Sequence, residues 1–249
     1  MKKLFLMIIV AAAMTACQNR PGATATLDAN GDCVFQNPLV CFRLNGAGNP
    51  VITNGIEAIL KAKDGKQTVV KDRKSAMAAS LNDGGTVLVA NDSLIFPHAN
   101  FESFEIVEQD RGHVTFTLRY PEWTVGEETI SLKRTITLSD RFYYCEVTDE
   151  YNRRGATDML LAAGFAKRGV EKSETGKDYI VAWESIPGEG NVGVGVLMPI
   201  ADRFEFDGLD DNALEYCNSK YVSKVTYIVG SCWSKGAIAD FDSWAAIFR

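Results

Sequence analysis

Alternation is what most limits the folds open to this chain. Between positions 129 and 138, Ile130, Leu132, Ile136 and Leu138 fall on one face of an extended strand, the two-residue period of a half-buried β-strand. Similar short runs rich in Val, Ile, Thr, Tyr and Phe, punctuated by Gly, Asn and Asp, recur at 40–44, 56–62, 67–70, 86–90, 101–108, 113–120, 142–149, 159–165, 179–184, 192–198 and 221–233. So many strands at such close spacing predict an all-β chain, a large antiparallel sandwich. Helical expectations are confined to a short segment at 73–80 and a C-terminal turn. In that turn Asp240 caps and Phe241, Trp244, Ala245 and Phe248 recur at i, i+3, i+4 and i+7.

The run at 129–138 also raises an electrostatic question. A two-residue turn at Ser139-Asp140 would pair Leu138 with Arg141 and set Lys133 opposite Glu146, an opposite-charge cross-strand pair. Arg134 then shares the face of Ile130, Leu132, Ile136 and Leu138. A guanidinium in that stripe either pairs with a buried Asp or Glu or opens into a polar cavity that takes a ligand.

The N-terminus reads as an address. Lys2 and Lys3, an apolar stretch over 4–13 and the small-residue approach Met14-Thr15-Ala16 to Cys17 form a cleaved leader, too short for a membrane span. The Cys after Thr15-Ala16 is similar to a bacterial lipobox, in which the thiol becomes the lipidated first residue. Gln18 follows where an Asp commonly retains such proteins at the inner membrane, which favours the outer membrane. The expected organisation is a signal peptide at 1–16, a lipidated flexible tether at 17–32 and a single domain at 33–249.

A net charge of -6 over 249 residues gives no basic footprint for nucleic acid, so the membrane contact expected is the lipid anchor alone. Cys33, Cys41, Cys145, Cys217 and Cys232 follow Cys17. Cys33–Cys41 and Cys217–Cys232 are candidate bridges in an oxidising compartment, and buried free thiols are the alternative. His98 and His113 are the whole histidine complement. That leaves no material for a His-rich zinc site, and no cofactor is expected, with a divalent cation left open. Gly188, Gly190 and Gly193 spell GxGxxG, but a strand-like run follows where a dinucleotide site needs a helix, so they read as a hairpin turn.

Three blocks then carry a family likeness: Phe35-Gln36-Asn37-Pro38 through Leu44; Phe116 through Trp123 continuing to 133–138; and Ala162 through Lys167, Trp183-Glu184 and 227–235, ending at Phe241 and Trp244. Together they resemble the bacterial family catalogued as domain of unknown function 4861 (DUF4861), commonly encoded by gut and marine Bacteroidetes. That resemblance implies a β-supersandwich similar to galactose mutarotases and a setting of polysaccharide, often uronate-rich, breakdown. It implies no mechanism.

Sugar binding needs flat aromatic faces and polar groups that fix hydroxyls and carboxylates, for which Trp123, Trp183 and Trp233 are the platforms, Trp123 expected in a loop. A uronate lyase needs a cation for the carboxylate, a base for the C5 proton and an acid for the leaving oxygen. Arg134, Lys167 and Lys235 are the candidate cations, and His98 and Tyr120 the candidate proton carriers. A glycosidase needs two carboxylates, for which Glu184, on a mostly apolar face, and Glu122 are available. Glu184 is equally a candidate partner for Arg134. The expectation is therefore an envelope-anchored protein acting on uronate-containing oligosaccharides, lyase-like, with hydrolysis or binding without catalysis as alternatives.

Overall fold

The computed structural model describes residues 22–68, 80–155, 157–217 and 223–249. The leader, Cys17 and most of the expected 73–80 helix lie outside the described residues. In chain order the strands are β1 (Thr24–Leu27), β2 (Cys33–Gln36), β3 (Cys41–Leu44), β4 (Glu57–Lys61), β5 (Gln67–Thr68), β6 (Gly85–Ala90), β7 (Ser93–Ile95), β8 (Ser103–Gln109), β9 (His113–Arg119), β10 (Trp123–Val125), β11 (Glu128–Ser139) and β12 (Tyr144–Arg154). They continue as β13 (Leu160–Ala166), β14 (Val170–Thr175), β15 (Tyr179–Ile186), β16 (Gly190–Leu197), β17 (Arg203–Glu205), β18 (Asn212–Cys217) and β19 (Lys224–Trp233), and the chain closes on helix α1 (Phe241–Ala245).

These strands form three antiparallel sheets. The largest runs β14-β15-β16-β19-β12-β11-β9-β8, with β10 added beside β11; the others run β1-β2-β3-β4-β5 and β17-β18-β13-β6-β7. One cluster of buried side chains runs through all three, joining Phe35 and Phe42 of the first sheet, Phe116, Leu132, Ile136, Val147, Val194 and Val229 of the largest, and Leu161 and Phe165 of the third. Phe35 meets Phe116 with ring centroids 5.2 Å apart. The fold is thus a large antiparallel β-sandwich with one short helix, as the alternation predicts. Alternation also decides the faces: the largest sheet turns Ile130, Leu132, Ile136 and Leu138 inward and its threonines outward.

The register between β11 and β12 corrects the sequence expectation. Leu138 pairs with Cys145, not Arg141, and Lys133 with Glu150, not Glu146. Asn37 explains the longer turn, since its Nδ2 donates to the carbonyls of both Ser139 (2.6 Å) and Phe142 (2.8 Å) and holds those residues out of the ladder. The tether expectation is corrected as well. Thr24–Leu27 pairs with β2, and Ala23 and Ala25 are buried, because the small side chains let this strand close over β9. Asp28 then turns the chain by accepting from the amides of Asn30 and Asp32. The candidate disulfides are absent: all five described cysteines are free and buried. Cys33 pairs with Leu44 and Cys41 with Gln36, at opposite ends of one hairpin, while Cys217 and Cys232 lie in different sheets.

Helix α1 forms where its spacing predicts it. Asp240 accepts from the Ser243 amide at 2.9 Å, and Phe241, Trp244 and Phe248 press onto Val181, Trp183 and Cys232, on the outer face of the largest sheet. The strands beneath make room with glycine: a Cβ on Gly193 would stand 2.8 Å from the Trp244 ring. Gly188 and Gly190, at φ +77 and +88, form the β15–β16 hairpin turn, so the GxGxxG glycines divide between a turn and a seat for the helix. Both outermost strands of this sheet carry a register break, β8 between Ile106 and Glu108 and β14 between Val170 and Lys172.

Candidate functional site

Helix α1 covers the outer face over β15, β16 and β19; over β12, β11 and β9, Arg119 and Glu146 are exposed, Lys133, Thr135, Thr148 and Glu150 half-buried and Thr117 buried. Cross-strand pairing orders that second part of the face into rows. Arg119, Lys133, Glu150 and Lys224 stand side by side on four neighbouring strands. The next row holds Thr117, Thr135, Thr148 and Thr226, and the one beyond it Thr115, Thr137, Glu146 and Ile228. Strands lie about 4.8 Å apart and a side chain recurs on one face every ~7 Å, so the rows make a shallow polar grid.

The charged row borders a cleft of about 540 Å³, lined by Glu102, Arg119, Tyr120, Ser131, Lys133, Glu150, Asn152 and Lys224 among others. Lys133 and Lys224 share one carboxylate, Glu150, at 3.7 and 3.6 Å. Arg119 is exposed and has no ion-pair partner among the described residues. The cleft therefore presents three cations against Glu150 and Glu102. A guanidinium left without a carboxylate, two lysines beside it and the hydroxyl and amide of Ser131 and Asn152 can together engage a ligand carboxylate and its neighbouring hydroxyls.

Behind the cleft, on the inner face, Arg134 is wholly buried and meets Asp149 through two bonds, Nε to Oδ1 and Nη2 to Oδ2, each 2.7 Å. Asp149 Oδ2 also accepts from the Tyr227 hydroxyl at 3.0 Å and from Thr86, and Thr86 Oγ1 lies 2.8 Å from the Tyr151 hydroxyl. Arg134 Nη1 donates to the Asn54 carbonyl at 2.6 Å and to Tyr120 Oη at 3.4 Å. Burial alone would lower the Arg134 pKa, but the Asp149 carboxylate beside it, with Tyr227 and Tyr120, holds it well above the usual value. The ligand-facing expectation for Arg134 gives way to the buried-pair alternative, with Asp149 as the partner and not Glu184.

The remaining candidates are distributed as follows. Tyr120 lines the cleft; burial pushes its phenol up to about 12, so it keeps its proton at neutral pH. His98 is exposed in the loop between β7 and β8. Lys167 follows β13, pairs with Asp207 and lies over the Phe206 ring at 5.2 Å, in a separate cleft of about 560 Å³. Glu184 is fully buried, accepts from the Arg168 amide at 2.8 Å and has Arg168 Nε at 3.8 Å. Glu122 is exposed and paired with Arg154. Trp123, expected in a loop, belongs to β10 and is buried. Trp183 is covered by α1, and Trp233 is buried with its indole donating to the Glu189 carbonyl at 2.9 Å. Lys235 lies 4.9 Å above the Trp233 ring and pairs with Glu189 at 2.9 Å. The structure thus brings Tyr120 to Arg134 and Lys235 to Trp233, and places His98, Lys167 and Glu184 in separate surroundings.

Arg119, Lys133, Glu150 and Lys224 escaped sequence reasoning because the row is assembled by three successive strand pairings whose registers the sequence alone does not fix, and its two ends lie more than a hundred residues apart. One signal was available: in Thr129–Leu138 the residues opposite the apolar stripe are all polar, which marks an uncovered face. One group among the described residues has metal-ligand chemistry, Glu108, Asp110 and His113 in the β8–β9 hairpin. His113 Nδ1 lies 3.1 Å from Asp110 Oδ1 and Nε2 3.5 Å from Glu108 Oε2, while Asp110 Oδ1 caps the turn by accepting from the Gly112 and His113 amides.

Residues 77–249 match the family described as "Domain of unknown function (DUF4861)", well over half of the chain. The chain belongs to the DUF4861 family. The DUF4861 match takes in β6 to α1, hence the Arg119 row and the Arg134–Asp149 pair. It leaves out the β1–β5 sheet and with it the first of the three blocks, Phe35 through Leu44. No curated protein matches the chain.

Proposed function

We propose that this DUF4861 protein binds uronate-bearing oligosaccharides in the cleft beside Arg119 and is held in the cell envelope, outer membrane favoured, by a lipid on Cys17. The observation that carries the ligand class is the exposed Arg119 guanidinium, which pairs with no carboxylate among the described residues, next to two lysines that share Glu150. A planar carboxylate meets such a guanidinium through two parallel N–H···O bonds, and Lys133 and Lys224 add to the local field in a chain whose net charge is otherwise negative. Binding is favoured over elimination or hydrolysis by what lines the cleft. Its phenol retains its proton, His98, Lys167 and Glu184 are not among its lining residues, and of its two carboxylates, Glu102 and Glu150, the latter is held between Lys133 and Lys224.

The test is a panel of uronate-containing oligosaccharides, followed by calorimetry together with absorbance of unsaturated products and release of reducing ends. Saturable, salt-sensitive binding is expected, weakened about tenfold, or ~1.4 kcal/mol, by Arg119→Ala, with neither product signal. Rising absorbance would make the protein a lyase, and reducing ends alone a hydrolase. No binding by any member of the panel overturns the ligand class. The anchor is tested separately: Cys17→Ser should move the protein from the membrane to the soluble fraction of its host, and an unchanged distribution removes the lipid from the proposal.

A further inference from the structure

Resting on that reading, we infer that the site extends along β11 and β12 to an aromatic platform at Phe142 and Tyr144, so that the ligand is an extended oligosaccharide with its uronate at one end and neutral units beyond. Phe142 and Tyr144 stack with ring centroids 4.8 Å apart and planes 6° apart, and Phe142 is 46% exposed, a flat apolar surface turned to solvent. The turn that carries Phe142 is held by the two bonds from Asn37, so the platform is positioned before any ligand arrives.

Tyr144 shares the outer face of β12 with Glu146, Thr148 and Glu150, six residues from the charged row, or ~20 Å along the strand. Between the two ends lie the threonine row and the row containing Glu146. Pyranose rings lying along the strands would place C–H faces on the aromatic pair and hydroxyls over the threonines, which bond one another in pairs, Thr148 with Thr226 at 2.8 Å and Thr115 with Thr137 at 3.0 Å, and each hydroxyl oxygen has a second lone pair to accept from a sugar. Charge decides the composition of the ligand. Cations crowd the row at one end, whereas exposed Glu146 in the middle, with Glu105 and Glu108 on the edge strand β8 beyond β9, disfavours a further carboxylate, and the one cation beside the platform, Arg141, is matched by Asp140 at 3.6 Å.

The experiment titrates the full chain, and its Arg119→Ala and Phe142→Ala variants, with oligosaccharides from disaccharide to hexasaccharide carrying one terminal uronate, and with all-uronate oligomers of the same lengths. Affinity should rise about tenfold with length for the mixed series and stay flat for the all-uronate series. Phe142→Ala should abolish that rise and leave the disaccharide unaffected, whereas Arg119→Ala should weaken every length. Phe142 is an exposed turn residue, and circular dichroism checks that its variant is folded. If Arg119→Ala weakens binding but Phe142→Ala is indistinguishable from the parent at every length, the extended site is wrong and the uronate reading stands. If Arg119→Ala changes nothing, the uronate reading fails and takes this one with it. An all-uronate series that gains affinity with length overturns the charge argument.

Discussion

Glu215 sets the residue scale, because it carries an acidic group into the main core. It alternates on β18 with Ala213 and Cys217, both in that core, is 1% exposed, and has no side-chain partner among the described residues, the Met198 amide being the one group that favours its charged form. Burial, with the charge of Asp178 adding to it, pushes its pKa up from 4.5 to about 9. The folded protein therefore holds a proton that the unfolded chain releases, and stability falls as pH rises through that window. Glu215→Gln should match the parent at pH 4 and exceed it at pH 8 by on the order of 1–3 kcal/mol, measured by urea unfolding at both. An equal difference at the two pH values would mean that Glu215 is not protonated in the fold. Arg134 is the opposite solution, a buried charge fully paired. Its face was legible from the alternation of Ile130 to Leu138. Its partner was not, because Asp149 comes opposite it only when the turn is longer than Ser139-Asp140, and the cause of that lies at Asn37, a hundred residues away.

At the scale of elements, α1 shows how a very short helix persists. Five residues cannot hold a helix alone. Here Asp240 caps the start, Trp244 is fully buried, and its indole donates to the Val194 carbonyl at 3.1 Å, tying the helix to β16. Trp244→Ala should cost about 3–5 kcal/mol in chemical denaturation. A loss below ~1 kcal/mol would show that the sheet tolerates an uncovered face there. Cap and period made α1 readable in advance, as alternation did for β11 and runs of strand-favouring residues did for β9, β13, β15, β16 and β19. The strands missed, β1, β2, β7, β10, β14 and β17, are short or polar, and β18, though buried throughout, interrupts its apolar residues with Asn212 and Glu215. In β14, for example, Glu171, Lys172 and Ser173 are exposed and the strand is made by its pairing with β15, not by burial of a face.

The whole molecule depends on a sheet outside the family-matched stretch. Phe35 and Phe42 of the β1–β5 sheet close over Phe116, so a fragment of residues 77–249 would turn part of the core to water. Such a fragment should be insoluble or bind a hydrophobic dye, while the full chain does neither; a fragment with cooperative unfolding would contradict this. Long-range pairing is also why the candidate site was hidden. Arg119 and Lys224 lie far apart in sequence and share a row because β9, β11, β12 and β19 are neighbours, which composition does not encode. The register breaks in β8 and β14 have a last consequence. They sit on the two free margins of the largest sheet, where unpaired amides and carbonyls would otherwise template another chain, and β8 adds Glu105 and Glu108 at its margin. Twisted by those breaks, and with exposed Ile106 and Val107 on β8 flanked by Glu105 and Glu108, those margins are poor templates for a further strand, so copies crowded onto one surface would remain separate molecules and not grow into a fibril.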